Sequence, residues 1–198
     1  MPVRSPRLKI VRRLGVQLPG LTRKCVGATA PAPRQRRKPS MYRLALEEKQ
    51  KVRFNYGVTE RQMRRYLEAA KRLPGRTGEN LLLLLEQRLD NVVFRLGFAP
   101  TIPAARQLVA HGHVQVNGRR LDRAAYLVST GDTLSLAPSA RESDALRAAA
   151  EQEPVLRIPS HLQRDPVDPC AGRVISAPAR GAVPFVVKES LVVEFYAR

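Results

Sequence analysis

Between residues 88 and 136 the punctuation of the chain leaves little freedom in how it can fold. Leu89, Val92, Val93 and Leu96 recur at helical spacing and stop at Gly97. Thr101 then stands where an N-cap belongs, with Pro103 in the first turn and Ala105, Leu108 and Val109 facing inward. That helix ends at His111-Gly112, where glycine takes the left-handed conformation without a Cβ clash. Val114 and Val116 alternate with polar neighbours, Asn117-Gly118 supplies a type I′ turn, and Gly131-Asp132 precedes a closing strand marked by Leu134 and Leu136. The pattern predicts helix, turn, helix and hairpin, with Arg106, Gln107, His111, His113, Asn117 and Arg119 gathered near one edge. Donors collected there suit the phosphates and shape of folded RNA. Plainer readings stand beside this one: Asn117 is equally explained as a turn residue, and Thr101 as a cap.

The flanks read as helices on one side and loops on the other. Ser40 caps a helix carrying Leu44, Val52 and Tyr56 and ending at Gly57; Thr59 caps a second, from Glu60 to about Leu73, closed by Pro74-Gly75. In the second, Met63, Tyr66, Leu67 and Ala70 share a face, leaving Arg61, Arg64, Arg65 and Arg72 on others, open to solvent or to RNA. A third helix, from about Gly78 to Gln87, is apolar all round at Leu81 to Leu85 and belongs at the centre of a helical domain. Residues 140–151 read as one amphipathic helix and 154–182 as loop-rich, with many Pro and Gly. The last run is ambiguous: Phe185-Val186-Val187 and Leu191-Val192-Val193 favour strand by propensity, whereas Leu191, Glu194 and Phe195 suit a short helix.

Charge identifies the partner class. The chain carries 35 Lys and Arg against 17 acidic residues, net +18, a field that attracts polyanions. The excess is front-loaded: net +11 over residues 1–40, +5 over 41–80, +2 over 81–140 and zero thereafter. Residues 1–40, with six prolines and no sustained helical or alternating pattern, are expected to bury no core alone and to order against phosphates. Their removal is then expected to weaken RNA binding while leaving the rest folded. Cys25 and Cys170 are far apart and His111, His113 and His161 make no zinc spacing, so neither metal nor disulfide is assigned. The longest apolar run, Leu81 to Leu85, is far below the ~20 residues of a membrane span. An Arg-rich, acid-free start leaves an organelle transit peptide as a minor alternative.

Residues from end to end resemble one family, the small-subunit ribosomal protein S four, in its plastid and bacterial forms. The likeness runs through Pro6-Arg7-Leu8-Lys9, Arg12-Arg13-Leu14-Gly15, Leu18-Pro19-Gly20-Leu21-Thr22 and Glu47-Glu48-Lys49-Gln50-Lys51. It continues in Tyr56-Gly57-Val58-Thr59-Glu60-Arg61-Gln62, Arg88-Leu89-Asp90-Asn91, Thr101-Ile102-Pro103, His111-Gly112-His113 and Val116-Asn117-Gly118, and closes on Leu191-Val192-Val193-Glu194-Phe195-Tyr196. Many bacterial members carry a cysteine cluster near the N-terminus; only Cys25 stands there in this chain, so metal binding is not carried over.

The resemblance implies an α+β protein: a mostly α-helical first domain, built from the N-terminal part plus the C-terminal segment, with an inserted RNA-binding module of helices and a small antiparallel sheet. It makes 1–40 a basic extension, 41–87 a helical domain completed by a helical 185–198, and 88–184 the module with its helix and loop-rich extension. It implies primary binding to small-subunit (16S-type) rRNA that nucleates assembly. It also implies a place near the path by which mRNA enters, and a contact with ribosomal protein S five tied to translational accuracy. Chloroplast stroma is the preferred compartment and bacterial cytoplasm the alternative. Contacts to RNA are expected from Arg4, Arg7, Lys9, Arg12 and Arg13, from Lys49, Lys51, Arg53, Arg61, Arg64 and Arg65, and from Arg88, Arg95, Thr101, Arg106, Gln107, His111, His113, Asn117 and Arg119. No catalytic residue, cofactor or membrane partner is expected. An enzyme that borrows such a module, a pseudouridine synthase or a tRNA synthetase, needs a further catalytic domain for which this chain has no room. A free rescue or heat-shock factor would lack the Arg-rich start.

Overall fold

A computed structural model describes residues 6–24 and 40–197. Arg4, Cys25 and the rest of 1–5 and 25–39 lie outside the described residues. In chain order the helices are α1 (Arg7–Leu14), α2 (Met41–Asn55), α3 (Glu60–Lys71), α4 (Thr77–Glu86), α5 (Leu89–Arg95), α6 (Ile102–Ala110), α7 (Pro138–Arg141), α8 (Asp144–Glu151) and α9 (Glu189–Ala197). The strands are β1 (Val114–Val116), β2 (Arg119–Arg120), β3 (Thr133–Leu136), β4 (Leu162–Arg164) and β5 (Ala171–Val174). They fall into two compact units, Met1–Leu82 with Val183–Arg198, and Leu83–Ala182.

In the first unit, caps place the helices where the sequence puts them. Ser40 accepts from the Arg43 N–H at 3.3 Å, and Thr59 forms a capping box with Gln62, each side chain accepting from the other's backbone N–H. Asn80 donates from Nδ2 to the carbonyls of Ala70, Leu73 and Pro74, tying the start of α4 to the end of α3. The C-terminal run is helical from Glu189, and α9 packs along α2, with Tyr42 and Phe195 ring centroids 5.6 Å apart. The strand-like propensity upstream survives only as alternation: Phe185 and Val187 are buried, Val186 exposed.

Residues 1–40, which show no sustained helical pattern and are expected to order against phosphates, instead place α1 and the turn after it within the fold of the first unit. Ile10, Val11, Leu18 and Leu21 are all buried, and the Gly20 N–H donates to Asn55 Oδ1 at 3.1 Å. Two turns of helix hold few apolar positions, and four cations in α1 mask the stripe of Ile10, Val11 and Leu14 in the composition. Gly15, at φ +64°, stops the helix.

In the second unit α5 and α6 pack together beside an antiparallel sheet of order β2-β1-β3-β5-β4. Val114 pairs with Leu136 and Val116 with Leu134, so one face is apolar and buried, while Gln115 and Ser135 share the other. Asn117 (φ +51°) and Gly118 (φ +74°) make the expected turn. Two expectations are corrected here. Residues 154–182, read as loop-rich, contain β4 and β5, which extend the sheet through Leu134↔Gly172 and Leu162↔Val174. Each strand offers at most two inward positions, and one of these is Gly172, against which Leu96 packs so closely that a Cβ would sit 2.8 Å from its Cδ2. Residues 140–151 form two helices rather than one, broken at Glu142 and Ser143.

Candidate nucleic-acid interface

Burial and pairing divide the expected contact residues into two sets. Arg7, Lys9, Arg12 and Arg13 of α1 are exposed, opposite buried Ile10 and Val11. On α3, Arg61, Arg64 and Arg65 are exposed, and with Arg72, Glu68 and Ala69 they line an open concavity. None of these arginines forms an ion pair among the described residues. Lys51 and Arg53 are half-buried: Lys51 is paired with Glu48 at 2.6 Å, and Arg53 lies over the Phe54 ring.

Lys49 belongs to the other set. It is 6% exposed; its ammonium donates to Glu60 at 3.2 and 3.3 Å and sits 4.1 Å from the Phe195 ring centroid. Tyr196 donates its hydroxyl to the same carboxylate at 2.7 Å. Burial raises the Glu60 pKa, but the hydrogen bonds from Tyr196 and Lys49 outweigh it and the net shift is downward. Burial first, then the bond to Glu60, push the Tyr196 phenol up. This cluster joins α2, α3 and α9 and leaves Lys49 no reach to an external phosphate.

Inside the second unit, Arg88 (1% exposed) grips Asp90 (0%) with Nε to Oδ1 at 3.0 Å and Nη2 to Oδ2 at 2.7 Å. Arg106, whose side chain is 37% exposed, donates to the same Oδ2 from Nε at 3.1 Å and Nη2 at 2.7 Å. Arg95 (4%) lies 3.8 Å from Glu86, to which Asn91 Nδ2 also donates at 2.9 Å, and reaches the Ala182 carbonyl. Thr101 is buried and caps α6 by accepting from the Ala104 N–H. For Lys49, Arg88, Arg95 and Thr101, expectation and structure part: these groups are spent on holding the fold, the three cations because a desolvated charge is tolerable only against a partner, and Thr101 as the cap of α6.

At the C-terminal end of α6, Gln107 and His111 are exposed and His113 half-buried, with the two imidazoles edge to face at 6.0 Å. Arg119 is exposed on β2. Arg120, which sequence reasoning missed, lies across Gly112 and donates to the His111 carbonyl at 3.1 Å, bringing the hairpin to this edge. Only its place beside Arg119 signalled it. Asn117 is occupied: Nδ2 donates to Asp132 at 2.8 Å and Oδ1 accepts from the Thr133 N–H at 2.9 Å, locking two turns together. Among the described residues no group of three or more His, Cys, Asp or Glu is arranged to hold a metal ion. No described helix is long and apolar enough to cross a membrane.

The sequence is similar to known proteins over nearly its whole length. The family described as Ribosomal protein S4/S9 N-terminal domain matches residues 2–86, and the S4 domain matches residues 87–134. Small ribosomal subunit protein uS4 of Nostoc punctiforme is 50% identical over 198 residues, covering 98% of this chain and 97% of the relative. The protein of the same name from Synechococcus elongatus is also 50% identical, and that of Prochlorococcus marinus (strain MIT 9303) 49%, each with the same coverage.

Proposed function

Because the chain belongs to the small ribosomal subunit protein uS4 family, we propose that it is a structural constituent of the small subunit that binds its 16S-type rRNA directly and early in assembly. The observation that supports this best is the division of its cations. Arg88, Arg95 and Lys49 are neutralised inside, whereas Arg7, Lys9, Arg12, Arg13, Arg61, Arg64, Arg65 and Arg119 stand exposed without ion pairs among the described residues. Unpaired surface guanidinium groups displace counterions from phosphates on binding. Lys51, Arg53, Arg106, Gln107, His111, His113 and Asn117 complete the surface, Arg106 through its exposed rim, and Arg4 adds a further cation.

In this reading residues 1–40 and 41–87 with 185–198 supply most of the phosphate contacts, and 88–184 reads RNA shape. The protein lies near the path by which mRNA enters, touches ribosomal protein S five and contributes to accuracy without catalysing a reaction. Its place is the chloroplast stroma, with bacterial cytoplasm as the alternative. The test is co-sedimentation with the small subunit after a high-salt wash, together with a salt titration of binding to an rRNA fragment. Log affinity should fall steeply with log salt, by roughly one unit of slope per neutralised phosphate. Arg61→Ala and Arg65→Ala should each lower that slope by about one. A slope near zero overturns the mechanism.

A further inference from the structure

The concavity on α3 has a polarity that phosphate binding alone does not call for. Arg61, Arg65, Glu68 and Arg72 stand at i, i+4, i+7 and i+11, on one helical face opposite buried Met63, Leu67 and Ala70, with Arg64 beside them. Ala69 lies among them, and the space above this one helix face, about 420 Å³, is open to solvent on its outer side. Glu68 lies among these cations yet pairs with none of them; it is held by Lys71, at 2.8 Å. A carboxylate in the middle of a row that meets only phosphates would repel them.

Cations around a single acceptor are, however, the complement of a whole nucleotide. The phosphate takes the arginines, the base stacks on a guanidinium plane, and the base's amine finds an acceptor. In an RNA duplex the amine of cytosine faces the major groove, which is too deep and narrow for side chains, so the nucleotide must be extruded. Resting on the RNA-binding reading above, we propose that the α3 concavity seats one unpaired, extruded nucleotide of RNA, with Glu68 accepting from the exocyclic amine of a cytosine. Arg61, Arg64, Arg65 and Arg72 hold its phosphate and ring. Glu68 is thereby a specificity-determining residue, and Lys71 positions it.

The test uses the full chain and three hairpins of equal stem: fully paired, with one bulged cytidine, and with one bulged uridine, which presents a carbonyl where cytidine presents its amine. The bulged-cytidine RNA should bind roughly tenfold more tightly than the paired one, the scale of one good side-chain contact to a base, and the uridine RNA less so. The sign of Glu68→Ala decides the matter. Removing a negative charge from a surface that meets only phosphates tightens every RNA alike. If Glu68 reads a base, the cytidine preference collapses while paired binding holds or tightens. Arg65→Ala should also abolish the preference; both side chains are exposed, so neither change threatens the fold. Equal binding of the three hairpins, or uniform tightening by Glu68→Ala, overturns the nucleotide site. Failure to co-sediment with the small subunit would instead overturn the reading on which it rests.

Discussion

Replacing Asp90 by alanine should cost the second unit about 3–5 kcal/mol, the usual penalty for leaving a buried charge without its partner. The carboxylate is 0% exposed and accepts four bonds, two each from Arg88 and Arg106. Charge-assisted bonds contribute roughly 1.5–3 kcal/mol each, so four would suggest a far larger loss. Arg106 is 37% exposed, however, and on losing Asp90 it turns to water and recovers most of its share. Arg88, at 1% exposed, has no such route to water, so the two bonds it loses carry most of the loss of about 3–5 kcal/mol. The assay is urea unfolding followed by far-UV circular dichroism, since the chain has no tryptophan. Arg106→Ala should lose only about 1–2 kcal/mol. The double variant Arg88→Met with Asp90→Leu, which removes charge and countercharge together, should recover most of what Asp90→Ala loses. A loss below 1 kcal/mol for Asp90→Ala, or a double variant as unstable as the single one, would refute the compensation reasoning.

Three further outcomes are expected. His161 is buried; burial first and the Arg95 cation second bring its pKa down to about 4. The unfolded chain, titrating near 6.5, takes up that proton first, so stability should fall between about pH 6.5 and 4 by up to ~1.4 kcal/mol per unit. His161→Gln should flatten this slope, and an unchanged profile would be inconsistent with a buried neutral imidazole. Deleting residues 1–24 should destabilise the first unit as well as weaken RNA binding, because four buried aliphatic side chains leave with it, each contributing about 1.5–3 kcal/mol; a truncated chain with full thermal stability would restore the tail reading. Gly112→Ala should lose about 1–2 kcal/mol, since φ there is +73° and an added Cβ meets the Arg120 guanidinium; equal urea midpoints for the two proteins would count against it.

Local chemistry made much of the fold legible. Ser40, Thr59 and Thr101 each cap the helix they announce, and Asn117-Gly118 turns where its backbone preferences require. Such signals are complete within a few residues, so tertiary context has little to add. β4 and β5 escaped because three- and four-residue strands carry almost no alternation, and Gly172 has no side chain with which to show a buried face. In α1 the stripe was present, but two turns between cations are too short to outweigh composition.

For the candidate interface the division is sharper. By itself the sequence determined the fold class, α+β, the family, and the total of positive charge, because composition, motifs and capping are properties of residues and their near neighbours. Only the tertiary structure decided which cations are available. Arg106 meets Asp90 sixteen residues away, and Lys49 shares Glu60 with Tyr196, 136 residues from it. Whether a guanidinium faces a phosphate or a carboxylate depends on what the fold places beside it, and at long range electrostatic pairing and burial are set by packing, not by position in the chain.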